Sequence, residues 1–240
     1  MRLLIPFKIL LVVLATCFAM VWIVFFNLFN RPITSYKVVI WWSRLLYSLA
    51  GVKVESQGLD KVPKGSYLVM SNHSSHLDGP GLLMTLPHPI YLVIKKELTK
   101  IPIWGTAAKR VGFIVIDRAN TAEAKKTLAE AEAVIHRGRH VLFFPEGTRA
   151  RDHRLHRFKK GGFHMAVGAQ VPILPLAVNG SRKLLPKGTH LPKPGVVHIV
   201  VGDPIPTSGL TRDDIPALAE KTRAAIRELR RLDPDFVDDD

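Results

Sequence analysis

Hydrophobic and polar positions change their spacing once along this chain, near Gly51. Before that point the pattern is helical and unusually apolar. Residues 9–26 contain no charged side chain, and the run continues through Leu28 and Phe29, giving the ~20 residues a membrane helix needs. A secretory signal usually has a shorter apolar region ending in small residues, so the segment reads as an uncleaved anchor. Asn30-Arg31-Pro32 then breaks the helix. Residues 35–50 resume it with Lys37, Arg44 and Ser48 along one face, and Trp41, Trp42 and Tyr47 suit a headgroup boundary better than a bilayer centre. Residues 1–50 are thus expected to form a membrane-binding two-helix segment. If the first helix spans, Arg31, Lys37 and Arg44 after it favour a cytoplasmic position for the domain beyond residue 50.

Beyond Gly51 short apolar runs alternate with helical stretches over residues 51–232. The runs at 67–70, 91–94, 112–116, 141–144, 173–178 and 198–201 read as strands. Asn120-Thr121-Ala122-Glu123 has the form of a capping box opening an Ala- and Leu-rich helix that stops at Gly138. A second helix follows Gly161-Gly162, and a last one runs from about Ile215 to Leu232 with Ala217, Leu218, Ala225, Ile226 and Leu229 toward the core. This alternation predicts an α/β fold, a sheet flanked by helices.

Charge adds a partner class. Lys and Arg outnumber Asp and Glu by 34 to 20 for a net +14, and five of the acids, Asp233, Asp235, Asp238, Asp239 and Asp240, lie in the tail 233–240. The tail is expected to be disordered. The remaining body is more basic still and suits polyanions. No RNA-binding aromatic signature, zinc-finger spacing or basic heptad region points to nucleic acid. Anionic lipid headgroups and phosphorylated substrates remain. The one cysteine, Cys17, excludes an internal disulfide and a multi-cysteine metal site.

The chemistry gathers where apolar runs stop. Asn72-His73-Ser74-Ser75-His76-Leu77-Asp78 follows the strand at 67–70. His73 and Asp78 cannot share a helix face, since five residues at about 100° each place them about 140° apart. A turn could fold the carboxylate onto the imidazole, fix its tautomer and leave the other ring nitrogen to take a proton from a hydroxyl. That is two thirds of a triad with no enzyme nucleophile, because Ser74 and Ser75 lie outside any Gly-x-Ser-x-Gly elbow. The hydroxyl would belong to the substrate. A metal constellation of His73, His76 and Asp78 is the competing reading, and it lacks a nearby third histidine or cysteine.

Three further blocks follow in order. Gly112 to Arg118 contains Ile116 and Asp117-Arg118; Glu146-Gly147-Thr148-Arg149 follows Phe143-Phe144-Pro145; Val171-Pro172-Ile173 precedes Pro175. Together with Asn72, His73 and Asp78, this set resembles the 1-acylglycerol-3-phosphate acyltransferases, a branch of the glycerolipid acyltransferases. The resemblance covers residues 58–206 and includes Lys95-Lys96-Glu97-Leu98 and Ile101-Pro102-Ile103-Trp104-Gly105, with Val115 standing where an aromatic is common. It implies a mixed sheet flanked by helices, with a membrane-embedded two-helix unit that either spans the bilayer or occupies one leaflet. It also implies transfer of a fatty acyl group from acyl-coenzyme A, or acyl carrier protein, to the sn-2 hydroxyl of lysophosphatidic acid, giving phosphatidic acid. No cofactor and no metal is called for.

In that chemistry His73 is the general base and Asp78 orients it. Arg118 and Arg149 are the candidates for the acceptor phosphate, because guanidinium meets phosphate as a bidentate fork. Glu146, Gly147 and Thr148 would shape the acceptor pocket, with Glu146 holding the glycerol or an arginine. Backbone amides around the His73 turn are expected as oxyanion donors. Lys159-Lys160-Gly161-Gly162 could receive coenzyme A phosphates or lipid headgroups. The alternatives are an acyltransferase for another lysolipid or glycerol 3-phosphate, a metal-dependent hydrolase, and a non-enzymatic protein that binds anionic membranes.

Overall fold

The computed structural model describes residues 5–117, 121–189, 191–233 and 236. Its centre is a mixed sheet, seven-stranded among the described residues, in the order β1-β7-β6-β2-β5-β3-β4. The strands are β1 (Val52–Gln57), β2 (Leu68–Ser71), β3 (Ile90–Lys95), β4 (Ile114–Ile116), β5 (His140–Phe143), β6 (Ile173–Asn179) and β7 (Gly195–Val201). Five strands, β6, β2, β5, β3 and β4, run parallel; β7 pairs antiparallel with β6 and parallel with β1. Strands β2, β5 and β6 are buried along their whole length. This is why they read as continuous apolar runs, as strands covered on both faces do.

Alternate residues of β2, counted from Tyr67 just before it, point to opposite layers, as the period of two requires. Tyr67 and Val69 join a cluster with Met20, Ile23, Tyr36 and Tyr47, whereas Leu68 and Met70 join Ile135, Phe163, Met165, Leu218 and Ile226. The first layer is built from α1 (Ile5–Leu28), α2 (Pro32–Ala50), α3 (Asp78–Thr85) and α4 (Trp104–Val111). The second contains α5 (Thr121–His136), α6 (Gly161–Ala169) and α8 (Ile215–Arg230), while the one-turn α7 (Ser181–Leu184) after β6 adds Leu184 to the first layer's cluster. The expected mixed sheet flanked by helices is therefore observed.

The antiparallel pair α1 and α2 is pinned by polar contacts beside the connecting turn and near mid-helix. Asn27 donates to Ser35 at 2.7 Å, and Trp42 Nε1 donates to Thr16 at 3.1 Å. Phe7–Leu28 is long and apolar enough to cross a membrane by length and composition. Among the described side chains of α1 only Ala19, Met20 and Ile23 are buried, and Phe7, Leu10, Leu14, Phe18, Val21, Phe25 and Leu28 stand exposed. In α2, Tyr36 accepts a hydrogen bond from Ile90 N at 2.9 Å, and Tyr47 donates to Leu77 O at 2.8 Å. Both tyrosines are buried, so α2 is part of the core that supports the sheet.

One correction concerns local pattern. Helix α8 buries Ile215, Leu218, Ala219, Thr222, Ile226 and Arg230, while Ala217 is exposed. Small and polar residues thus complete a face that apolarity alone misassigns. The capping box at Asn120-Thr121-Ala122-Glu123 and most of the acidic tail lie outside the described residues and side chains.

Candidate functional site

Three neighbouring parallel strands, β6, β2 and β5, deliver their carboxyl ends to one edge of the sheet. Open α/β sheets place ligands in the crevice beyond such ends. Asn72 leaves β2 and extends its pairing: its amide donates to Val178 O at 2.9 Å and its Oδ1 accepts from Val178 N at 2.8 Å. The side chain replaces one rung of the ladder and fixes where the turn begins.

His73 follows, with its Nδ1 2.8 Å from Asp78 Oδ2. The same oxygen accepts from Ser74 N at 2.7 Å and Ser75 N at 2.8 Å, and Oδ1 accepts from Ser181 Oγ at 2.5 Å. Surrounded by donors, the Asp78 carboxylate is an acceptor, so Nδ1 carries the ring proton and Nε2 is left with its lone pair. Asp78 is fully buried, while the His73 side chain is 22% exposed. The imidazole lies on Phe144, with ring centroids 4.0 Å apart at 15°. A buried orienting group beneath a stacked, accessible ring is a preorganised base.

The turn is held from below as well. Tyr47 ties Leu77 to α2, and at Gly81 a Cβ would lie 2.4 Å from the Tyr47 hydroxyl, so only glycine lets α3 approach. Asp78 opens α3 in spite of Gly79, Pro80 and Gly81. Proline is tolerated there because first-turn amides have no intrahelical partner.

Glu146 is directed inward, 5% exposed. Its Oε1 accepts from His73 N at 2.8 Å and its Oε2 from His156 N at 3.2 Å. Burial pushes its carboxyl up to about 7, opposed by those two amides and by Arg230 and His156. Glu146 thus joins the β5 loop to the His73 turn. Gly147 has φ +76, a backbone form that suits glycine, and the Lys159 chain packs over it. The amides of His73, Ser74 and Ser75 donate to Glu146 and Asp78.

Cations collect beside this turn. Arg149 Nη1 is buried with no hydrogen-bond partner among the described residues. Burial lowers its pKa from the ordinary arginine value and the Asp78 charge opposes this, so the two groups share one field. Lys187 Nζ donates to Arg149 O at 2.8 Å and to Thr148 Oγ1 at 3.2 Å. Its own pKa is lowered by burial and then by Arg151, Arg149 and Lys95. Thr148 itself is exposed. Arg118 lies outside the described residues, and neighbouring Asp117 pairs with Lys96 at 2.9 Å. Among the described residues no group of His, Cys, Asp and Glu could hold a metal ion, and His76 of the competing constellation is exposed.

A family model described as Acyltransferase matches residues 53–179. The chain belongs to the acyltransferase family. It is 37% identical over 180 residues to human 1-acyl-sn-glycerol-3-phosphate acyltransferase alpha, covering 74% of this chain and 64% of that protein. It thus spans a little under two thirds of that relative's length. It is also 31% identical over 193 residues to the 1-acyl-sn-glycerol-3-phosphate acyltransferase of Pseudomonas aeruginosa, covering 80% of this chain and 73% of the other. Among solved structures, the 1-acyl-sn-glycerophosphate (LPA) acyltransferase PlsC from Thermotoga maritima superposes with a TM-score of 0.76. The two share 25% identity, and the match covers 96% of this chain and 98% of that one. The family resemblance read from four short blocks agrees with these matches.

Of the residues proposed from sequence, the acyltransferase fold brings His73, Asp78, Glu146 and Arg149 to one edge. Ser181, Phe144 and Lys187 were missed. Ser181 and Asp78 are 103 residues apart in sequence, so no local spacing connects them. Lys187 follows Leu184-Leu185-Pro186 as an ordinary surface lysine would.

Proposed function

We propose that this chain transfers a fatty acyl group from acyl-coenzyme A or acyl carrier protein to the sn-2 hydroxyl of lysophosphatidic acid, forming phosphatidic acid. The observation that carries the reading is an oriented histidine base beside a buried arginine donor with no described partner. The names of the relatives point to the same substrate. The acceptor oxygen attacks the thioester carbonyl as its proton passes to His73 Nε2. Asp78 stabilises the resulting imidazolium through Nδ1. Collapse of the tetrahedral intermediate breaks the carbon–sulfur bond, and the departing thiolate takes the proton back from Nε2. Both donors are substrates, so the scheme needs no resident cofactor or metal.

Arg149 and Lys187 hold the acceptor phosphate, with Arg118 as the further contact that the family resemblance implies. A guanidinium that is partly desolvated and next to other cations gains most from an incoming dianion. Helix α1, with its exposed apolar length, supports attachment to a membrane, and the basic residues after it support a position on the cytoplasmic face.

Arg149→Ala tests the acceptor assignment. Its acceptor KM should rise roughly 10- to 150-fold, the equivalent of about 1.5–3 kcal/mol for a hydrogen bond to a charged group. The acyl-donor KM should stay near the parent value, and Arg149→Lys should recover part of the loss. Arg149→Ala protein that prefers phosphorylated over phosphate-free acceptors as strongly as the parent would remove this residue from the phosphate site.

Ser181 should act through Asp78. It is fully buried, and its hydroxyl also lies 3.1 Å from Ser74 Oγ. Ser181→Ala should lower kcat on the order of tenfold, the loss of one hydrogen bond to a charged group, with both KM values nearly constant. Steady-state kinetics on the two substrates reads this directly, and an unchanged kcat would deny Ser181 a positioning role.

A further inference from the structure

Between β3 and α4 the chain carries apolar side chains on its surface. Leu98 is 38% exposed, Ile101 49% and Ile103 48%, and Pro102 between them is exposed as well. The short 3-10 helix Lys96–Lys100 precedes this tip and α4 follows it. Ile103 holds φ at 63°, a left-handed conformation that a β-branched residue seldom adopts. An unfavourable backbone that keeps an isoleucine in solvent calls for a compensating contact.

The surroundings say what kind of contact. Helix α4 packs directly against α1, and its Ala107 and Val111 share a core cluster with Met20 and Ile23 of that helix, while Trp104 packs partly buried against the same cluster. The apolar tip is thus anchored next to the exposed apolar helix. Lys95, Lys100, Lys109 and Arg110 are exposed around it, against the single acid Glu97 within residues 95–110. Apolar residues ringed by lysines, with a tryptophan at their base, have the composition of an interfacial membrane contact. Lys95 ends β3, which pairs parallel with β5, so it leaves the sheet at the same edge as the loop at 146–149. That places the tip beside the proposed acceptor site.

We propose that residues 98–103 are a second bilayer contact: they insert into an anionic membrane surface and hold the acceptor site at the interface, where a lysolipid arrives. This rests on the membrane reading of α1, and it adds a contact made by the catalytic unit itself. The phosphate of a lysolipid lying in the same leaflet then reaches Arg149 without the acyl chain leaving the bilayer.

Site-directed spin labelling of the full chain tests it. With Cys17 replaced by serine, single labels are placed at Ile103→Cys, at Ile101→Cys, at Val21→Cys on the exposed face of α1, and at Glu220→Cys on the exposed face of α8. The protein is reconstituted in phosphatidylethanolamine and phosphatidylglycerol vesicles, and collisions with oxygen are compared with collisions with a water-soluble nickel chelate. The ratio of oxygen to nickel collisions at 101 and 103 should be several-fold higher than at 220 and of the kind seen at 21. If position 21 is protected from nickel while 101 and 103 match 220, the tip stays in water and the proposal is overturned, with the anchor intact. If 21 also matches 220, the membrane reading fails and the proposal fails with it.

Discussion

His73→Ala should lower the acyl-transfer rate by about 10²–10⁴-fold, the range lost with one positioned base, and should leave the protein folded and bound to vesicles. The ring is 22% exposed and rests on Phe144, so its removal opens little core. Backbone contacts of the same residue persist: His73 N still meets Glu146, and His73 O still accepts from Ala150 N at 2.8 Å. A thermal melt and vesicle flotation beside the rate measurement separate chemistry from folding. Near-parental turnover in folded His73→Ala protein would sink the mechanism.

Asp78→Asn is expected to cost on the order of 10³-fold in kcat, since an amide can match the shape but cannot stabilise imidazolium. The geometry makes this substitution harsher than a charge loss alone. Oδ2 faces three N–H donors, so asparagine must place its oxygen there and turn its NH₂ toward Ser181. The Ser181 hydroxyl then has to rotate from donor to acceptor. Losing hydrogen bonds to a fully buried charge should also lower stability by about 2 kcal/mol or more, read as a fall in denaturant midpoint with the slope unchanged. An Asp78→Asn protein with parental kcat would show that Asp78 does not orient the base.

Legibility in the sequence divides along physical lines. Central strands were visible because burial on both faces demands continuous apolar runs. Edge strand β1 was missed: among the described residues it has partners only on the β7 side, and its apolar residues are only Val52 and Val54. Helix α3 was hidden by Gly79, Pro80 and Gly81, and its support comes from Tyr47, 30 residues away from Leu77. The pairing of His73 with Asp78 was readable because both lie in one turn. The inward direction of Glu146 was not readable, because a carboxylate that caps two backbone amides looks in sequence like one that faces substrate. The same reason hid the engagement of the Ser74 and Ser75 amides, which depends on how the chain closes around Asp78.

The most direct measurement gives the purified full-length protein a labelled acyl-coenzyme A with either lysophosphatidic acid or the corresponding phosphate-free monoacylglycerol, and identifies the products by mass. The predicted result is phosphatidic acid from the first acceptor, formed at a rate that His73→Ala largely abolishes, and little product from the second. Equal acylation of both acceptors, or phosphatidic acid formed equally well by the His73→Ala protein, would contradict the account.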